Sequence, residues 1–349
     1  MNVHLISSPF KEPSASLSAA LQRLQGHRVV IKLGGSTLRD QRSVVAAGLW
    51  LQAAGVSPVL VHGGGPIVNA WLKKLNLPAT FRQGMRVTDA PTLEIVKMVL
   101  RGLINQDLVA LASHLGGKAV GLSGLDGGML RAHGADPTLG LVGEIEAVNP
   151  ELIESVLAQG YLPIIAPLGQ SPDGTCLNLN ADFVAGHLAR ALHADTLIFL
   201  TDVEGVTGPD GSLIRELSAQ QARQLLDERV INSGMIPKVL ASLEALTTVP
   251  RVWIAASDSP QVIVNQVLSE QGSGTMITQN VHSPSSANET IRKAKGGSDA
   301  QSVHETAGGK PGRFDAARTR DYRGRMGSGR EDHPPQEAPS IRPLHHLAL

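Results

Sequence analysis

The chain has almost no cysteine: Cys176 stands alone among 349 residues, so no internal disulfide can form and no cysteine-based zinc pattern exists. That scarcity fits a reducing compartment. Aromatic residues make up only 3%, so the core must come from the aliphatic part of a 42% hydrophobic composition. Neither charge sign is in excess, with 31 basic and 31 acidic residues. Global attraction to nucleic acid or to an anionic membrane is therefore not expected. No apolar run approaches the roughly 20 residues needed to span a bilayer. The opening residues, Met1 to Phe10, hold no charged segment followed by a long apolar run, so no secretory signal is expected. The expectation is a soluble, cytoplasmic protein without nucleic-acid or membrane partners.

What is present changes character near Asn280. Residues 281–349 are rich in Ser, Gly, Pro, Arg and Asp and lack apolar periodicity. Such a segment cannot bury enough surface to offset its ordering entropy, and a disordered tail is expected. Its basic cluster Arg318, Arg320, Arg323 and Arg325 reads as a solvated linker rather than an anion contact. Before it, short aliphatic runs at 28–33, 58–62, 119–122, 162–166, 196–201 and 252–255 read as strands buried on both faces. Between them, segments 44–54, 67–76, 90–115, 151–159, 181–193, 219–227 and 237–246 have helical spacing. Alternation of this kind predicts an α/β fold with a mainly parallel sheet and helices on both faces. Residues 14–24 form a further amphipathic helix, with Leu17, Leu21 and Leu24 on one face.

In open parallel sheets, ligands gather at the carboxyl ends of the strands. Five turns there carry chemistry. Lys32-Leu33-Gly34-Gly35-Ser36 offers a lysine at a strand end and glycines whose N–H groups can approach an anion. His62-Gly63-Gly64-Gly65-Pro66 costs backbone entropy that a ligand contact would justify. The same pattern forms an oxyanion hole in some α/β-hydrolases, but the required Gly-x-Ser-x-Gly elbow is missing. In Gly84-Met85-Arg86-Val87-Thr88-Asp89, Arg86 suits a bidentate grip on a carboxylate or a surface salt bridge. Asn178, Asn180 and Asp182, spaced by two, point to one side of an extended segment, although Asn180 alone would serve as a helix cap. In Gly234-Met235-Ile236-Pro237-Lys238, proline suits a helix start and puts Lys238 in the first turn. A lysine there opposes the helix dipole, which favours an anion contact over a stabilising role. Neither a Walker loop nor a Rossmann glycine pattern occurs.

Taken in order, these motifs resemble the acetylglutamate kinases of the amino-acid-kinase superfamily. Gly-Leu-Ser-Gly at 121–124 and Thr-Asp-Val-Glu-Gly-Val at 201–206 add to the set, and the likeness runs from His27 to Ile277. The resemblance implies a three-layer αβα sandwich around an open, mainly parallel sheet of about eight strands, as in carbamate kinase. It implies an N-terminal extension at 1–26 and a kinase domain at 27–280, with an acceptor lobe over about 27–175 and a nucleotide lobe over about 176–280. The implied reaction is ATP-dependent phosphorylation of the N-acetyl-L-glutamate side-chain carboxylate, the second step of arginine biosynthesis. Carried over by motif, Lys32 and Lys238 stabilise the transferring phosphoryl group and Asp182 orients both. Gly64, Gly65, Arg86 and Asn178 take the acceptor position. Gly34 and Gly35 hold phosphoryl oxygens, and Thr201 and Asp202 lie on the nucleotide side. Magnesium is expected on the nucleotide, with no dedicated protein metal cage.

Leu125 departs from the lysine of many acetylglutamate kinases and matches the carrier-linked 2-aminoadipate kinases of lysine biosynthesis, which keeps that acceptor as an alternative. A catalytically inactive regulatory relative is a third reading, though every expected charged position is filled. The resemblance also implies a homodimer, or a hexamer built as a trimer of dimers with arginine as feedback inhibitor. Segment 14–24, Glu270 and Gly272-Ser273-Gly274-Thr275 fit the arginine-sensitive pattern, whereas 255–260 fits it poorly.

Overall fold

The computed structural model describes residues 22–35, 40–82, 84–231, 234–256, 259–268 and 272–280. The tail 281–349, Glu270 and all but the last three residues of the segment 14–24 lie outside them. The strands are β1 (Arg28–Leu33), β2 (Ser57–His62), β3 (Phe81–Arg82), β4 (Met85–Arg86), β5 (Ala119–Ser123), β6 (Leu130–Gly134) and β7 (Val142–Val148). They continue with β8 (Leu162–Ala166), β9 (Leu168–Gln170), β10 (Cys176–Leu179), β11 (Thr196–Thr201), β12 (Glu216–Ser218), β13 (Arg251–Ala256) and β14 (Thr275–Thr278). The helices are α1 (Gln41–Ala53), α2 (Gly65–Lys74), α3 (Ala90–Lys97), α4 (Asn105–His114) and α5 (Glu151–Ala158). After them come α6 (Ala181–Ala191), α7 (Ala219–Asp227), α8 (Ile236–Ala245) and α9 (Pro260–Leu268).

Eight strands form the main sheet in the order β12-β14-β13-β11-β1-β2-β8-β5. Every pairing is parallel except β13 with β14. The central strands are mainly apolar, as burial on both faces favours, with Lys32 the buried charge in β1. Side chains alternate across β1: Val29, Ile31 and Leu33 join the core layer with α1, α4 and α9. Val30 and Lys32 therefore face the opposite layer, where α6 and α8 pack on β1, β11 and β13. The result is the expected three-layer α/β sandwich.

Four further strands, β6, β7, β9 and β10, close on one another as a separate sheet. They fall outside the six strand runs read from the sequence, as do the hairpin β3–β4 and the strands β12 and β14 at one end of the main sheet. The long helical segment 90–115 is also more complex than its periodicity suggests. A π-helical stretch, Met98–Ile104, joins α3 to α4. Among the described residues no helix is long and apolar enough to cross a membrane.

Candidate functional site

Three charged side chains converge at the carboxyl end of β1. Lys32 occupies the next-to-last position of that strand, and only 5% of the residue is exposed. Asp182 lies in the first turn of α6, whose start is fixed by Asn180: the Asn180 side chain accepts from Asp182 N–H at 2.8 Å. Lys238 lies in the first turn of α8, after Met235 and beside Pro237. Lys32 Nζ stands 2.7 Å from Asp182 Oδ1, and Lys238 Nζ donates to Asp182 Oδ2 at 3.3 Å. One carboxylate thus holds two ammonium groups from different elements. The carrying helices are themselves linked farther along by His187 Nε2 and Glu244 Oε2, 3.5 Å apart.

Burial would push the Asp182 carboxyl up, but the two lysines outweigh it and hold its pKa below the ordinary value. Burial pushes Lys32 down; Asp182 counters that and Lys238 adds to it. The cluster carries one surplus positive charge in a nearly dry setting. A site of this kind favours an anion carrying its own charge, and phosphate is the obvious class.

The alternation predicted for Asn178, Asn180 and Asp182 stops at Asn180, because the extended backbone ends there and the helix begins. Asn180 is the cap. Asn178 stays on β10 and donates through Nδ2 to Thr88 Oγ1 at 3.2 Å. The Thr88 hydroxyl in turn donates to the Arg86 carbonyl at 3.1 Å. That chain of contacts joins Asn178 to the Arg86 segment, although the two are far apart in sequence.

Arg86 is 9% exposed and is no surface ion pair. Its Nη2 donates to Asn69 Oδ1 at 2.6 Å and to Gly65 O at 3.2 Å, while Phe81 stacks on the guanidinium at 4.7 Å. Burial lowers its pKa. Its buried Nη1 has no hydrogen-bond partner among the described residues. An orphaned guanidinium donor is costly, and it leaves Arg86 with a donor that an anion could take.

The glycine turns meet each other. Gly63 N–H donates to Leu33 O at 2.9 Å, which ties the turn after β2 to the end of β1. A Cβ on Gly35 would lie 2.7 Å from Pro66 Cδ, and one on Gly64 would lie 2.5 Å from both Ile104 Cδ1 and Leu100 Cδ2. A Cβ on Gly65 meets nothing within 4 Å, so that position borders open space. Gly34 precedes Gly35 in the same turn. The helix that starts at Gly65 adds its N-terminal N–H groups to the turn.

Thr201 ends β11, the strand beside β1. Its register puts it on the Lys32 face of the sheet, and its hydroxyl donates to Asp202 Oδ1 at 3.1 Å. Among the described residues no hydrogen bond or ion pair joins either one to the lysine–aspartate cluster. The structure therefore gathers Lys32, Asp182 and Lys238 in one group, Arg86 with Gly65 in a second and Asn178 with Thr88 beside it. Sequence reading missed Thr88 and Asn69. Thr88 lies inside a motif already singled out, whereas Asn69 sits inside a helix with no local mark.

A model described as the amino acid kinase family matches residues 27–256. Acetylglutamate kinase from Parasynechococcus marenigrum (strain WH8102) is 44% identical over 266 residues, spanning 74% of this chain and 91% of the relative. N-acetylglutamate synthase from Neisseria gonorrhoeae, solved with coenzyme A and N-acetyl-glutamate, aligns with a TM-score of 0.67 at 24% identity, over 76% of this chain and 62% of that one. Carbamate kinase from Giardia lamblia bound to AMP-PNP aligns with a TM-score of 0.56 at 18% identity, over 73% of this chain and 99% of that one. At such identities the two solved structures establish the fold alone.

Proposed function

Because the chain belongs to the amino acid kinase family, we propose that it transfers the γ-phosphoryl group of ATP to the side-chain carboxylate of N-acetyl-L-glutamate. The observation that carries this reading is the Lys32–Asp182–Lys238 cluster, with ion-pair distances of 2.7 and 3.3 Å. A carboxylate acceptor is already ionised at neutral pH, so no general base is needed. Catalysis then reduces to positioning and to neutralising charge on the equatorial oxygens. Lys32 and Lys238 supply that neutralisation, and Asp182 keeps both ammonium groups aimed at one point. Gly34 and Gly35 offer N–H groups to the phosphoryl oxygens. Arg86, through its free Nη1, takes a carboxylate of the acceptor, with Gly64, Gly65 and Asn178 beside it. Thr201 and Asp202 lie toward the nucleotide. Magnesium would be carried on the nucleotide, where it would supply charge neutralisation to the phosphates.

An ATP-dependent hydroxamate assay tests the reading. Acyl phosphate formed from N-acetyl-L-glutamate supports it. Turnover with carrier-linked 2-aminoadipate instead would favour the alternative raised by Leu125, which here packs its aliphatic side chain against the core. Replacing Arg86 with alanine should raise the acceptor KM by about 10–100-fold, the worth of one charge-assisted hydrogen bond, with kcat changed little. Steady-state kinetics with varied acceptor checks this. The acceptor and nucleotide lobes, a cytoplasmic location, a homodimer or trimer of dimers and arginine feedback belong to the same proposal and rest on the sequence. Gel filtration tests the assembly and turnover with added arginine tests the feedback: dimers alone would count against the ring, and unchanged turnover would remove the feedback.

A further inference from the structure

His62 is fully buried at the end of β2, on the sheet face opposite Lys32, and takes no part in the scheme above. Its Nδ1 lies 3.0 Å from Gly63 O, and its Nε2 lies 3.1 Å from Asn105 Nδ2. Asn105 is equally buried and opens α4 directly after the π-helical stretch, a local form frequent at functional sites. Its amide has one consistent orientation. Nδ2 donates to Ile164 O at 2.9 Å, and Oδ1 accepts from Arg101 Nη1 at 3.1 Å. Arg101 also donates to Gly121 O at 2.9 Å, and its Nε lies 3.8 Å from Asp126 Oδ2. A Cβ on Gly121 would lie 2.0 Å from Asn105 Oδ1, so glycine there leaves the space that Asn105 occupies.

These contacts fix the histidine. A donor faces Nε2, so Nε2 accepts and the proton sits on Nδ1, which donates to Gly63 O. Burial holds the imidazole neutral by pushing its pKa down to about 4. The peptide from Gly63 to Gly64 is trans, and a trans peptide sets its C=O and N–H antiparallel. Holding Gly63 O toward the imidazole turns Gly64 N–H away from it.

We propose that Arg101, Asn105 and His62 are positioning residues that lock the Gly63–Gly64 peptide so that Gly64 N–H is presented to the acceptor carboxylate. The assignment rests on the reading of Gly64 as an acceptor-binding position. Arg101 orients the Asn105 amide, Asn105 sets the His62 tautomer, and His62 sets the peptide.

Two substitutions separate positioning from packing. The amide nitrogen of asparagine can replace Nδ1 as a donor, and the amide oxygen of glutamine can replace Nε2 as an acceptor. His62→Asn therefore keeps the bond to Gly63 O, while His62→Gln keeps only the side toward Asn105. The expected result is an acceptor KM within about threefold of the parent for His62→Asn and raised by about tenfold or more for His62→Gln, with the ATP KM unmoved in both. A His62→Gln variant as good as His62→Asn, or equal changes in both KM values, overturns the relay. If neither variant folds, nitrogen NMR of the parent chain decides: an Nδ1–H imidazole supports the relay and an Nε2–H imidazole overturns it. A parent chain inactive on N-acetyl-L-glutamate counts against the functional reading, and the tautomer then judges the relay by itself.

Discussion

Replacing Asp182 with alanine lowers the free energy of unfolding by about 3–5 kcal/mol and brings turnover to background. The reason is the charge left behind. Lys32 and Lys238 each pair with Asp182, and the side chains involved are 6%, 12% and 9% exposed respectively. Without the carboxylate, two ammonium groups face each other in a site that water barely reaches. They must move apart or lose a proton, and either change empties the point at which the phosphoryl group is to be held. Urea unfolding of the parent and the variant measures the first effect, and a coupled ATPase-type assay with acceptor measures the second. The pH dependence has a defined sign. Asp182 has a folded pKa below its ordinary value of 3.8. Its contribution is complete above the unfolded pKa and disappears as pH falls through the folded one, so parent and variant converge in stability in acid.

Replacing Lys238 with alanine gives a different signature. Turnover falls by about 10²–10³, the usual loss for one preorganised donor aimed at transition-state charge. The acceptor KM changes little, because in the proposed scheme Arg86 and the glycine turns hold the ground state without Lys238. Stability changes little as well. Removing Lys238 leaves Lys32 and Asp182 as a neutral pair 2.7 Å apart, so no buried charge is orphaned. A variant that is folded, saturable and slow is the expected outcome. A Lys238→Ala protein with near-parental kcat would remove this lysine from the chemistry. Asp182→Ala and Lys238→Ala together thus separate the holding of charge from its use.

The parts of this arrangement legible in the sequence were those with local signatures. Strands β1, β8 and β11 are mostly apolar runs, and their bounds read directly from the residues. Lys32 stood out because a lysine ends such a run, and Lys238 because a lysine beside Pro237 opposes a helix dipole. Arg86 was legible as an anion ligand or a surface charge, and burial with an orphaned Nη1 favours the ligand. Short strands were not legible. β12 has three residues and β14 four, and neither length carries a period. The closed group of β6, β7, β9 and β10 mixes polar and apolar residues, including Arg131, His133, Glu144 and Glu146. The π-helical stretch inside 90–115 leaves the apolar spacing helical and so left no mark. Asn69 and Asn105 were invisible for another reason. Their partners, Arg86 and His62, lie 17 and 43 residues away, and only the folded chain brings each pair together.

The central requirement is that both lysines act on one phosphorus. A crystal structure of the chain with ADP, aluminium fluoride and N-acetyl-L-glutamate addresses it directly. The account predicts Lys32 Nζ and Lys238 Nζ both about 3 Å from fluorides of the same aluminium, with Asp182 still between them. A complex in which either ammonium turns away from the aluminium, or in which Asp182 releases one of them, would contradict it.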